Sequence, residues 1–200
     1  MSEFFIYLQL GYNHITDLKG FDHILFIISL CAIYSIIQWK DAIVLVTAFT
    51  IGHSATLGLA SLNFVHVDSN LIEFLIPGTI LITCIVNFFH KFKGSIYREP
   101  LKYKIARYLI ALSFGLIHGL GFSNYLRNLF GKEDSIIKQL FSFNLGLELG
   151  QILIVIIALL FNFLMTSGFN ITRKTWNLIL SGIVFGMSLI LVFERIKTLF

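Results

Sequence analysis

The chain of 200 residues is 56% hydrophobic and only 13% charged, with a formal net charge of +4 and a mean hydropathy of +0.84. An ordinary soluble domain carries roughly 25% charged residues, so this composition excludes one and defines an integral membrane protein. In such a chain the positive balance reports orientation in the bilayer rather than nucleic-acid binding, and lipid is the first partner it implies.

The N-terminal stretch has no Lys or Arg ahead of its first apolar residues and no small-residue cleavage site, so no cleavable signal peptide is expected. Apolar residues at Phe4, Leu8, Tyr12, Ile15 and Leu18 recur at helical spacing and predict a short helix lying at the membrane interface. Six apolar runs then follow, predicting spans over about 21–38, 41–62, 71–91, 104–126, 137–165 and 176–195. The runs are continuous rather than alternating, which excludes a β-barrel and predicts an all-α polytopic membrane helix bundle forming one domain over residues 1–200. Cys31 and Cys84 fall inside spans at no metal or redox spacing and read as buried, unreactive thiols.

Lys and Arg fix the sidedness. The connection between the third and fourth spans carries Lys91, Lys93, Arg98, Lys102, Lys104 and Arg107 against Glu99, and the connection before the sixth carries Arg173 and Lys174. Both belong in the cytoplasm by the positive-inside rule. The stretch after the second span has no Lys or Arg, and Arg127, Lys132 and Lys138 are offset by Glu133 and Asp134. Both termini are therefore expected outside the cytoplasm.

Ionisable groups inside a bilayer cost several kcal/mol unless paired or hydrated, so each requires a reason. With that sidedness Asp22 and His23, His53, His118 and Glu148 all fall between the outer surface and the midplane, although they come from four spans. Asn144, Glu148 and Gln151 share one helix face, while Thr50 and Ser54 surround His53 with hydroxyls. Gly115 and Gly119 form a G-x-x-x-G pair that permits close helix approach beside His118. Three imidazoles with carboxylates suit a divalent transition-metal ion such as Zn²⁺, Ni²⁺ or Co²⁺, bound by His23, His53, His118, Asp22 and Glu148 with Asn144, Gln151, Thr50 and Ser54 behind them. His14 and His66 lie outside the spans and are expected in water, with a place at an entrance as the alternative. Glu73 and Glu194 are expected near the surface and His90 at the inner interface.

The segments "GFDHILF", "AFTIGHSATLGLA", "FGLIHGLGF" and "FNLGLELGQ", in this order and spacing, resemble the second branch of the HupE/UreJ group of bacterial membrane proteins, from His14 to about Ile157. That resemblance implies a multi-pass protein of the inner membrane with nickel or cobalt permease activity. Members carry a His, five residues and then Asp-His; here seven residues separate His14 from Asp22-His23, so Asp22 and His23 carry over directly and His14 loosely. Members also repeat a His-Gly pair and follow it with Glu, where this chain keeps His118-Gly119 and has Gly121.

Three functions fit these residues. The first is a divalent-metal permease that captures its ion at Asp22 and His23 and holds it at His53, His118 and Glu148. The second is an intramembrane zinc hydrolase with Glu148 or Asp22 as general base. The third is a non-catalytic accessory subunit, pinned together by its polar cluster within an oligomer or beside another membrane protein.

Overall fold

The structure, a computed structural model, describes residues 2–92, 100–123, 126 and 136–199. Lys93, Arg98 and Glu99 of the expected inner connection, and Arg127, Lys132, Glu133 and Asp134 of the outer one, lie outside these residues. The described residues form seven α-helices and no strand: α1 (Glu3–Thr16), α2 (Asp22–Cys31), α3 (Trp39–Ser61), α4 (Ser69–Phe88), α5 (Leu101–Gly121), α6 (Ile136–Phe163) and α7 (Arg173–Leu199). A 3₁₀ turn at Ile36–Gln38 leads into α3, and a π-turn at Leu164–Gly168 ends α6.

Four of these segments are long and apolar enough to cross a membrane: Ile36–Ser61, Ser69–Phe88, Ile136–Gly168 and Arg173–Lys197. Their flanks carry large exposed apolar side chains, such as Ile51, Val86, Ile157 and Ile190, which suit contact with lipid. The helix α5 falls outside this set because Lys102, Lys104 and Arg107 occupy its first two turns and His118 its last.

Glycines decide which helices pair. A Cβ on Gly11 would run into the Phe143 carbonyl, one on Gly146 into the Leu8 carbonyl, and one on Gly150 into Ile15. Backbone therefore rests on backbone between α1 and α6. Residue numbers rise together along this contact, from Glu3 beside Gln139 to Ile15 beside Gly150, so the two helices are parallel. The same device pairs α3 with α5, again parallel, through Gly52 against Leu112, Gly115 against Phe49 and Gly119 against His53. In contrast α4 and α7 run antiparallel, joined by Glu73–Arg195 at 2.6 Å near one end and by Asn87–Ser181 at 3.2 Å near the other.

These contacts revise the reading of the N-terminal quarter. The helix α1 does not lie at the interface: it descends along α6 to about that helix's middle, with Gly11 and Ile15 buried. The first expected span, 21–38, is also not one helix. Its helical part is α2, ten residues or about 15 Å, which starts where α1 ends and continues to the far end of the bundle. Placed end to end, α1 and α2 run alongside α6 from Gln139 to Asn162 with a break at residues 17–21, and neither is among the four segments long and apolar enough to cross a membrane.

The chain leaves α2 at Ala32 with no glycine or proline to stop it, and side chains of other helices take the carbonyls it exposes. Asn87 Nδ2 donates to Ser29 O at 2.7 Å, Asn162 Nδ2 to Cys31 O at 2.9 Å and Tyr34 O at 3.3 Å, and Arg173 Nη2 to Ile33 O at 3.0 Å. Trp176 Nε1 then donates to Asn162 Oδ1 at 2.8 Å, and Asn177 Nδ2 to the Asn87 carbonyl at 2.8 Å. Nearby, Lys104 grips both oxygens of Asp41 at 2.8 and 2.7 Å, and Arg107 reaches the Tyr34 hydroxyl at 3.3 Å. His90, just beyond the end of α4, is pushed down to about 4 by burial and by the neighbouring Arg107 and Arg173 guanidiniums.

Candidate metal site

The break between α1 and α2 brings two histidines together edge to face. His14 lies in the last turn of α1 and His23 in the first turn of α2, with ring centroids 4.8 Å apart. The α3–α5 pair supplies two more imidazoles. His53 is fully buried, its ring 6.0 Å from each of His14 and His23, and His118 is fully buried with its ring 5.2 Å from His23. Ligand atoms of His14, His23 and His53 all lie within 4.8 Å of one another. Nitrogens on a tetrahedral ion at about 2.05 Å are roughly 3.4 Å apart, so an inward shift of about an ångström would let the three share one ion.

Hydrogen bonding assigns most of the free nitrogens. Asp22 Oδ1 accepts from the His23 backbone N–H at 2.9 Å and faces His23 Nδ1 at 3.0 Å. The carboxylate thus keeps the proton on Nδ1 and leaves the Nε2 lone pair of His23 free. Thr79 spends its hydroxyl proton on the Ile76 carbonyl at 2.7 Å, so at 2.9 Å His118 Nε2 must donate to it. That leaves the lone pair of His118 on Nδ1. Neither His23 Nε2 nor His118 Nδ1 has a partner among the described residues, and the same holds for His14 Nε2 and both ring nitrogens of His53. Buried polar atoms are rarely left this way, because each lost hydrogen bond costs on the order of 1–3 kcal/mol. Such atoms from four helices form a cluster of buried imidazole nitrogens with the donor chemistry of a transition-metal site.

Aromatic rings wall the cluster. Phe122 lies 3.9 Å from His14, Phe26 5.0 Å from His118 and Phe49 5.1 Å from His118, centroid to centroid. An open pocket of about 650 Å³, lined by Asn13, His14, Asp17, Lys19 and Phe122 among others, reaches the cluster at the helix break. His14 belongs to both the pocket and the cluster.

Of the residues singled out from sequence, His23 and His53 come together with His118 beside them, and Asp22 backs His23. Glu148 is turned elsewhere: its Oε1 accepts from Thr47 Oγ1 at 2.5 Å, while Gln151 Oε1 accepts from Thr50 Oγ1 at 2.6 Å. Asn144 is half-buried with its Oδ1 unpartnered, and Ser54 is half-buried next to His53. His66 and Glu194 are exposed, and Glu73 is paired with Arg195. His14, expected in water or at an entrance, is half-buried, lines the open pocket and also belongs to the cluster, because α1 is drawn into the bundle. The signal was present as a second G-x-x-x-G pair, Gly146 and Gly150, with Gly11 facing it.

A helical bundle with four apolar crossings and a histidine pocket at a broken helix defines a multi-pass membrane protein with a candidate cation site. Its sequence matches the family described as HupE / UreJ protein over residues 1–195, and the chain belongs to that family, which is associated with nickel and cobalt transport. No curated protein and no solved structure matches it.

Proposed function

We propose that the protein is a divalent transition-metal permease of the bacterial inner membrane, with α1 and α2 together forming the first of six crossings and both termini outside the cytoplasm. The observation that carries this reading is the convergence of unpartnered imidazole nitrogens of His14, His23 and His53 from three helices, beside an open pocket. Nitrogen donors favour Ni²⁺, Co²⁺ or Zn²⁺ over harder cations, and neutral imidazoles leave the bound ion its charge for release. Asp22 orients His23, and His118 stands ready as the next ligand along.

The hydrolase reading draws some support from three imidazoles that leave further coordination positions open. Neither carboxylate is placed for it, however: Asp22 is engaged by His23 and Glu148 by Thr47. Uptake of Co²⁺ and Ni²⁺ into proteoliposomes holding a fluorescent chelator tests the permease. Flux by the native protein that His53→Ala and His118→Ala abolish is expected; flux unchanged by both substitutions would overturn it.

A further inference from the structure

The histidine cluster lies about halfway along the bundle, where α1 ends beside the middle of α6 and His118 meets Thr79 at the middle of α4, and a permease needs a way from there to the end where α2 stops. Along α4, Thr79, Thr83 and Asn87 follow at i, i+4 and i+8, one face of the helix spanning about 12 Å. All three are buried, at 3%, 8% and 3% exposure. Thr79 touches His118, and Asn87 touches Ser29 O of α2 and Ser181 Oγ of α7. The face therefore starts at the cluster and ends in the seam where α2, α4 and α7 meet.

The hydroxyls on this seam share one feature. Thr79, Thr83 and Ser29 each donate their proton back to their own helix, to Ile76 O, Thr79 O and Phe26 O at 2.7, 2.9 and 2.6 Å. A hydroxyl that donates in this way still has oxygen lone pairs to offer, and lone pairs are what a cation or its water shell needs. On α7, Ser181 and Ser188 lie two turns apart on one face, both fully buried, and Ser188 Oγ has no partner among the described residues.

We propose that the metal ion leaves the histidine cluster through His118 and Thr79, passes Thr83 along the α2–α4–α7 seam, and exits past a constriction formed by Asn87, Ser181 and Asn177. The seam is shut in this conformation: Ile80 and Cys84, next in sequence to the two threonines, are fully buried. Asn87 braces the constriction by holding Ser29 O and Ser181 together, and Asn177 holds the Asn87 carbonyl. Opening requires α7 to move from α4, which exchanges these amide contacts for contacts with the passing ion.

This route rests on the permease reading, and the experiment separates the two. Thr83→Val, nearly isosteric, and Ser181→Ala are reconstituted beside the native protein, and Co²⁺ binding by equilibrium dialysis is measured together with Co²⁺ flux. Expected are unchanged binding and flux about tenfold slower, the effect of one lost oxygen contact to a charged group. Ser113→Ala, an exposed hydroxyl on α5 that also donates to its own helix, should alter neither. Native flux matched by Thr83→Val and Ser181→Ala overturns the route alone. Binding without flux in the native protein overturns the permease and the route together.

Discussion

The two ends of α2 treat their polar atoms in opposite ways. Around α2's far end almost every donor has found an acceptor: Asn162 bridges two carbonyls and an indole, Arg173 caps Ile33, and Lys104 neutralises Asp41. Around its near end, five ring nitrogens of four histidines have none. Both regions are buried and both join several helices, so burial alone does not distinguish them. The first set is closed on itself and is explained by holding the bundle together. The second is open, and under the proposed function its nitrogens are the donors that the cargo ion would meet. An unsatisfied polar cluster costs stability that a satisfied one does not, and such costs persist where function requires them.

The comparison can be broken at its frame before it is tested at its ends. Gly146→Leu should have the largest effect, because its side chain would need the space of the Leu8 backbone. The expected outcome is an α1 that no longer docks on α6, seen as proteolysis within residues 2–21 and loss of Co²⁺ binding together. Next comes the paired test. Asn162→Ala should destabilise the protein by roughly 1–3 kcal/mol, by stranding the buried Trp176 Nε1–H, while leaving metal affinity at the histidines nearly intact. His53→Ala should do the reverse, removing measurable metal binding with a smaller fall in thermal stability, since its ring nitrogens make no bond that can be lost. If the two variants changed stability and binding alike, the distinction between the two regions would fail. Asp22→Asn should be milder, weakening metal binding about 10- to 100-fold through His23 alone, with the fold unchanged.

The smallest effect concerns protons at the far end. His90 is pushed down to about 4 in the folded protein, below the usual histidine value near 6.5, so the folded state binds fewer protons than the unfolded one. Stability is then complete above about pH 6.5 and declines as pH falls toward 4. His90→Gln should flatten that part of the thermal-melting profile between pH 7 and 5, by a modest amount because the ring is only half-buried.

Hydropathy alone located α3, α4, α6 and α7 to within a few residues, because lipid imposes the same requirement on every turn of a crossing helix. It failed for the first expected span, where the apolar run through residues 21–38 hides the end of α2. The helix stops there because Asn87, Asn162 and Arg173, all distant in sequence, offer its carbonyls better partners, and no local residue type announces that. The site was legible in part: His23, His53 and His118 stood out as imidazoles within apolar runs. His14 did not, since its burial depends on glycines more than 130 residues away. Glu148 shows the opposite error of emphasis. Its position on a polar helix face marked it correctly as inward-looking, but face alone does not say which neighbour it meets, and here that neighbour is Thr47.

The break between α1 and α2 also bears on stiffness. His14 and His23 stand on opposite lips of the gap, joined only by the short exposed stretch from Asp17 to Gly20. An ion gripped by both would act as a splint, turning two hinged half-rods into a single stiff one. Hydrogen–deuterium exchange across residues 15–22 would then slow on loading and recover on unloading, so the cargo itself would set when the gate-forming strut is rigid.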